Sequence, residues 1–149
     1  MIKKIVIYFL CLLILGIQLL SAEEKFLSLK KDKVNVRYGP GFDFEVKYVY
    51  KKINLPIKQI DKKENWRRII DLKNNSGWVH RRMVKPSNSI IILRNKILFK
   101  KPSLFSKPIA QIKKGRLLVL QKCEENWCRV KTADFEGWVK TNDVWGSIN

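Results

Sequence analysis

The chain has 149 residues, enough for one ordinary domain or two very small ones, and it carries a formal net charge of +18. Such a field would attract any polyanion, whether nucleic acid, anionic lipid or acidic wall polymer. The basic residues are spread along the chain, which excludes a basic nucleic-acid-binding tail and leaves a merely solvated surface as the alternative.

The N-terminal segment has the layout of a secretory signal peptide. Lys3 and Lys4 precede an almost wholly apolar run over residues 5–20, and the small residues Ser21 and Ala22 follow. This order predicts a signal peptide over residues 1–22 and a periplasmic or extracellular protein with no transmembrane segment after cleavage. An uncleaved membrane anchor is the alternative, since the run approaches the length of a membrane span. Export argues against nucleic acid as the normal partner.

The rest of the chain contains one pattern twice. Residues 64–66 (Glu-Asn-Trp) return as residues 125–127, and residues 77–79 (Gly-Trp-Val) return as residues 137–139. Flanking apolar and proline positions keep the same order and nearly the same spacing. Self-similarity at a fixed period indicates a duplicated structural unit.

Each unit is predicted to be all-β. Short segments rich in Val, Ile and aromatic residues alternate with Gly, Pro, Asn and Asp turns. Residues 39–41 (Gly-Pro-Gly) suit a type II turn with positive φ at Gly41, and residues 73–77 suit a hairpin tip. About five short strands in each unit must curl to bury one face, which favours a small closed barrel.

The motifs that carry a family resemblance are Arg-x-Gly-Pro-Gly at 37–41, Leu-Pro at 55–56, the tryptophan motif at 64–69, Gly-Trp-Val at 77–79 and Trp-Gly at 145–146. In this order, and duplicated, they resemble bacterial SH3 domains, most closely the tandem variety of exported Gram-negative proteins. The resemblance implies SH3-like barrels over residues 27–86 and 90–146. It also implies a binding module, often directed at cell-wall components, without catalytic activity.

Several aromatic residues are candidates for ligand binding. Side chains alternate between the faces of a strand, so Trp66 and Trp127 should point outward if Ile69 and Val130 point inward, and we expect both to be accessible. Packing at a barrel end or between the repeats is the alternative. The first long loop adds Tyr38, Phe42 and Phe44, for which binding and loop anchoring are equal alternatives, and Arg68 adds a charge. Trp145 is expected to cover the second barrel.

Signalling SH3 domains carry a Pro and a Tyr after the Gly-Trp-Val position, and both belong to their groove for proline-rich peptides. This chain has His80 and Met83 there in the first repeat, and Lys140 and Asp143 in the second. Recognition of Pro-x-x-Pro peptides is therefore not predicted.

No catalytic or metal-binding constellation is recognised. Cys123 and Cys128 are the cysteines left after signal cleavage and are expected to form a disulfide across a turn. His80 is the single histidine and is expected to be a surface residue. No enzyme activity, metal or cofactor is predicted.

The leading functional hypothesis is a binding module of the cell envelope. It would engage peptidoglycan or an envelope protein through an aromatic and basic groove of the first repeat, around Trp66, Tyr38 and Arg68. One alternative is a structural scaffold of tandem barrels within an envelope complex. Another is charge-driven binding to anionic lipid or another polyanion.

Overall fold

The computed structural model describes residues 25–146, so the expected signal peptide lies outside the described residues. Each repeat forms one antiparallel seven-stranded sheet. The strands of the first repeat are β1 (Lys25–Leu29), β2 (Val34–Arg37), β3 (Val46–Tyr50), β4 (Pro56–Lys63), β5 (Trp66–Ile70), β6 (Ser76–His80) and β7 (Val84–Pro86), and a 3-10 turn η1 (Arg81–Met83) lies between β6 and β7. The second consists of β8 (Ser89–Ile92), β9 (Lys96–Phe99), β10 (Pro108–Ile112), β11 (Leu117–Glu124), β12 (Trp127–Lys131), β13 (Glu136–Lys140) and β14 (Val144–Trp145).

The prediction of two tandem all-β units is confirmed. The strand order is β3-β2-β6-β5-β4-β1-β7 in the first sheet and β10-β9-β13-β12-β11-β8-β14 in the second. Each unit has seven strands, more than the five expected, in part because the short strands β7 and β14 pair with β1 and β8. Within residues 25–146, no helix is long and apolar enough to cross a membrane.

Each sheet curls around its own apolar core. In the first barrel, alternate residues of β2 are buried, and Val34 and Val36 join residues of four other strands in one cluster. The second cluster is built the same way and includes Cys128, Val130 and Val139. The long strands β4 and β11 are each interrupted by a register shift, a feature that bends a strand and helps a sheet to close.

The duplication extends to the turns. The N–H of Asn54 donates to the carbonyl of Leu29, and the N–H of Gly115 donates to that of Ile92, at corresponding places in the two barrels. Both turn residues have positive φ, as do Glu64 and Glu125 in the corresponding β4–β5 and β11–β12 hairpins. The sequence repeat is therefore a repeat of backbone conformation.

The turn at residues 39–41 differs from the predicted type II turn. Positive φ is not found at Gly41, and its N–H donates to the carbonyl of Gly39 at 3.0 Å, which closes a tighter turn around Pro40. Gly39 is needed for space instead, because a Cβ on it would lie 2.4 Å from the ring of Phe44.

The hairpin predicted around residues 73–77 is present between β5 and β6. Its tip is organised by the buried carboxylate of Asp71, which accepts hydrogen bonds from the N–H of Lys73 and from both the N–H and the side-chain amide of Asn75. The hydroxyl of Tyr50 donates to the same carboxylate at 3.0 Å. In the second barrel Thr132 caps the corresponding turn with its hydroxyl.

The two barrels pack against each other through a small polar and aromatic interface. The hydroxyls of Ser28 and Ser89 lie 2.8 Å apart and are buried. Trp145 pairs with β8 of the second barrel, but its ring packs edge-on against Phe26 at 5.1 Å and its Nε1–H donates to the carbonyl of Pro56 at 3.3 Å. The sequence predicts that Trp145 covers the second barrel; it pairs with β8 there, and its indole also reaches the first barrel.

Cys123 and Cys128 form a disulfide between β11 and β12. The two residues are direct cross-strand partners with Cα atoms 4.1 Å apart, and they enclose the turn at residues 124–127. The first barrel has Lys62 opposite Arg67 at the corresponding place, so only the second hairpin is cross-linked.

Candidate binding groove on the first barrel

A cavity of about 480 Å³ opens on the outer face of the first barrel. We call it the basic groove. It brings together the start of β5, the end of β6, η1, β2 and the long β2–β3 loop. Its lining residues are Lys33, Asn35, Arg37, Phe42, Asn65, Trp66, His80, Arg81, Arg82 and Met83.

Trp66 forms part of the wall of the basic groove. Ile69 belongs to the core cluster and Trp66 does not, as the alternation argument predicted. The expectation that Trp66 is accessible is nevertheless wrong, because only 7% of the residue is exposed. The ring of Phe42 packs on it at 5.0 Å, and the cross-strand partner His80 lies at 5.3 Å.

Phe42 is the aromatic residue that a ligand would meet first. It is 69% exposed, and its ring stacks on His80 with 5.5 Å between centroids. The loop that carries it is held by Arg37, whose Nη1 donates to the carbonyls of Phe42 at 3.2 Å and Phe44 at 2.6 Å. Phe44 in turn packs against Gly39. Arg37 and Phe44 therefore position Phe42 over Trp66.

The basic groove is strongly positive. Its lining includes Lys33, Arg37, Arg81 and Arg82 and contains no acidic residue. Within residues 25–146 none of these four side chains lies in an ion pair, and all except Arg37 are exposed. A negatively charged ligand would thus meet cations that are not already neutralised by the protein.

His80 adds a polar group rather than another charge. Its pKa is lowered by desolvation and by the nearby cations Arg82, Arg81 and Arg67, so the neutral imidazole is favoured near pH 7. Its Nδ1 accepts a hydrogen bond from the N–H of Arg82 at 3.3 Å, which leaves the proton on Nε2 as a donor. His80 is a surface residue, as expected, but it is partly covered and lines the basic groove.

Three of the predicted site residues lie outside this cavity. Tyr38 is exposed and its ring lies 5.6 Å from the ammonium of Lys47. Phe44 is partly exposed and packs on the glycine turn, as the loop-anchoring alternative has it. Arg68 is exposed on β5 opposite Trp78. The structure thus joins Trp66 to Phe42 but not to Tyr38, Phe44 or Arg68.

The sequence interpretation missed Lys33, Arg81 and Arg82. The two arginines follow directly after the Gly-Trp-Val motif and His80, and the pairing of His80 with Trp66 brings them to the groove. Two adjacent arginines after a strand with an aromatic motif are the sequence feature that could have identified this part of the groove. Lys33 comes from the β1–β2 turn, distant in sequence, and no local pattern identifies it.

The second barrel has a different surface at the corresponding place. Trp127 is half-buried, its ring lies 5.6 Å from that of Phe99, and the ammonium of Lys140 sits 5.8 Å above it. Residues 100–107 replace the loop that carries Phe42, and Phe105 in that loop is fully exposed rather than packed on the tryptophan. Lys140 takes the place of His80, so the two barrels present different chemistry.

Neither barrel offers a metal centre in the part of the chain described. Residues 25–146 contain no group of three or more His, Cys, Asp or Glu side chains that could hold a metal ion. The basic groove offers aromatic rings, hydrogen-bond donors and positive charge to a ligand.

The family model for the bacterial SH3 domain matches residues 30–86 and again residues 95–146, once in each barrel. The chain belongs to the bacterial SH3 domain family. Bacterial SH3 domains are binding domains, and two of them account for most of this chain. No curated protein matches the sequence.

Solved structures similar to this bacterial SH3 protein include NlpC2 and NlpC1 from Trichomonas vaginalis, at 8% and 9% identity. An NlpC/P60 family protein from Bacillus cereus ATCC 10987 is similar at 12% identity. The TM-score is 0.38 in each case, and the alignments cover 85%, 87% and 81% of this chain. The chain spans about half the length of these proteins, at 49%, 50% and 56%.

Proposed function

We propose that the protein is a non-catalytic binding module of the cell envelope, exported by its N-terminal signal, and that it engages peptidoglycan or an envelope protein through the basic groove of the first barrel. The observation that carries the proposal is the combination of stacked aromatic rings and unneutralised cations in one cavity. Membership of the bacterial SH3 family supports binding rather than catalysis, and directs the proposal to the cell wall.

The chemistry of the basic groove favours a ligand that is flat or apolar on one side and anionic on the other. Phe42 offers an exposed ring that is already held in place by Arg37 and Trp66. Arg81 and Arg82 offer forked donors that suit carboxylates. Peptidoglycan combines sugar rings, which stack on aromatic faces, with peptides that carry carboxylates. Both parts of such a ligand therefore have a matching surface in this cavity.

The experiment is co-sedimentation of the protein with purified, insoluble peptidoglycan. Phe42→Ala is the first variant, because Phe42 is exposed and its removal leaves the core intact, whereas Trp66 is buried and its replacement would also disturb packing. Loss of an aromatic contact worth about 1 kcal/mol predicts about fivefold weaker binding. Phe105→Ala is the matched control, since it removes an exposed Phe from the second barrel.

The cations are tested by the double variant Arg81→Gln/Arg82→Gln. Charge-assisted hydrogen bonds contribute about 1.5 kcal/mol or more each, so loss of both arginines should weaken binding by more than about 100-fold. Equal retention of wild type, Phe42→Ala and the double arginine variant on peptidoglycan would remove that polymer as the ligand. The same variants tested against an envelope extract would then decide whether the groove recognises a protein.

The contact between the barrels favours a second candidate function, that of a scaffold. Trp145 and the buried Ser28–Ser89 pair join the barrels, as a rigid spacer within an envelope complex would require. A scaffold predicts that the groove variants keep all binding, and that Trp145→Ala weakens assembly instead. Tryptophan emission that is blue-shifted and protected from quenchers would accompany this role.

A further inference from the structure

A second positively charged concavity lies between the two barrels, away from the basic groove. It has a volume of about 810 Å³, and we call it the inter-barrel cleft. One wall comes from the β3–β4 turn of the first barrel, and the other from β11, the turn before it and the turn after β12. Its lining residues are Lys52, Ile53, Asn54, Lys113, Lys114, Gly115, Arg116, Leu117, Val119, Lys131, Thr132 and Ala133.

The charge in the inter-barrel cleft has one sign. Lys52 comes from the first barrel, Lys113, Lys114, Arg116 and Lys131 come from the second, and no acidic residue lines the cleft. All five side chains are on exposed residues, and none forms an ion pair within residues 25–146. Like charges that line one cleft repel each other. An anion that enters the cleft is attracted to the cations and also reduces the repulsion among them.

The backbone under these cations is firmly held. The N–H groups of Lys114 and Gly115 donate to the Asn95 side chain at 2.9 Å and to the carbonyl of Ile92 at 2.7 Å. Gly115 has a φ of +85°, which a side chain would strain. On the opposite wall, the carbonyl of Asn54 accepts a hydrogen bond from the hydroxyl of Ser89 and so ties that wall to the second barrel.

We propose that the inter-barrel cleft binds a flexible linear polyanion, a chain with closely spaced anionic groups such as phosphates. A concave site with cations on both walls suits a chain that lies along it, whereas a flat bilayer would contact protruding loops. Lysine predominates over arginine here, which suits point-charge contact with successive anions more than recognition of one planar carboxylate. The proposal needs both barrels and is independent of the ligand of the basic groove.

The probe is medium-chain polyphosphate, titrated into the full mature protein at several salt concentrations. The cleft variant is Lys113→Gln/Lys114→Gln, and the matched control is Lys100→Gln/Lys101→Gln, which removes the same charge from an exposed loop outside the cleft. For a single-stranded polyanion, each lost contact changes the salt slope by about 0.7, so two contacts change it by about 1.4. At 0.1 M salt this corresponds to about 25-fold weaker binding for the cleft variant.

The control variant should bind within about twofold of wild type, and Lys52→Gln should weaken binding by about fivefold, as one contact would. Equal weakening by the cleft and control variants would overturn the proposal, since net charge alone would then explain binding. Cleft-dependent binding to anionic phospholipid vesicles without binding to polyphosphate would also overturn it. The cleft variant should still sediment with peptidoglycan as wild type does. This result would show that the inter-barrel cleft and the basic groove act independently.

Discussion

Replacement of Trp145 tests how strongly the two barrels are coupled. Trp145 belongs to the last strand of the second barrel, yet its indole contacts Phe26 and the carbonyl of Pro56 in the first. Trp145→Ala removes the edge-on ring contact, the hydrogen bond and the apolar area that the indole covers. Each of the first two contributes about 1 kcal/mol, and the buried area brings the total to about 3 kcal/mol.

A matched variant separates these contributions. Trp145→Phe keeps a ring against Phe26 but loses the N–H, so we expect a loss of about 1 kcal/mol. At this chain length 1 kcal/mol corresponds to about 4 °C in Tm, which predicts falls of about 12 °C for Trp145→Ala and about 4 °C for Trp145→Phe. Differential scanning calorimetry also reports whether one transition becomes two, as uncoupled barrels would give.

Two outcomes would show that the indole of Trp145 does less than this. If Trp145→Ala lowers Tm by no more than Trp145→Phe, the packing of the ring contributes nothing, and the indole couples the barrels only through its hydrogen bond to Pro56. If the single transition of wild type stays single with a Tm unchanged in both variants, the indole does not couple the barrels at all.

Two further predictions concern the hairpins. Replacing both Cys123 and Cys128 by Ser should lower the free energy of unfolding by more than about 2 kcal/mol, because the cross-link of a short loop is lost and a hydroxyl is placed at the buried position of Cys128. A urea titration that gives no loss would contradict this. Burial, together with Tyr48 and Asp71, raises the pKa of Tyr50 well above its usual value of 10.0. The unfolded chain then releases this proton first, so stability falls as pH rises above 10. Between pH 10 and pH 11 the free energy of unfolding of wild type should fall by about 1 kcal/mol more than that of Tyr50→Phe. If the urea midpoints of the two proteins change equally with pH, the pKa of Tyr50 is not raised by folding.

The groove illustrates where the sequence interpretation succeeded and where it failed. Strand alternation correctly put Trp66 on the face opposite Ile69. It could not reveal that Phe42 and His80 cover the indole, because alternation describes one strand and the cover comes from a loop and from a neighbouring strand. Tyr38 and Phe42 are equally aromatic and close in sequence, but only Phe42 lines the cavity.

The glycine turn gives a second example. The Gly-Pro-Gly sequence at 39–41 correctly indicated a turn, since Pro limits φ and Gly tolerates crowding. The turn type depended on a contact that local sequence does not describe. The ring of Phe44 occupies the space where a Cβ of Gly39 would lie, and this contact follows from the path of the loop back to β3.

The sequence by itself determined the tandem β-barrels and the pairing of Cys123 with Cys128, because strand periodicity, turn residues and a fixed repeat are local properties that recur along the chain. Only the tertiary structure decided which cations converge. Lys33 lines the basic groove together with Arg81 and Arg82, and Lys52 lines the inter-barrel cleft together with Lys113, although the lysine from the first element in each case is far in sequence from its partners. The physical reason is that strand pairing and barrel packing set these distances, and a net charge of +18 spread along a chain contains no information about them.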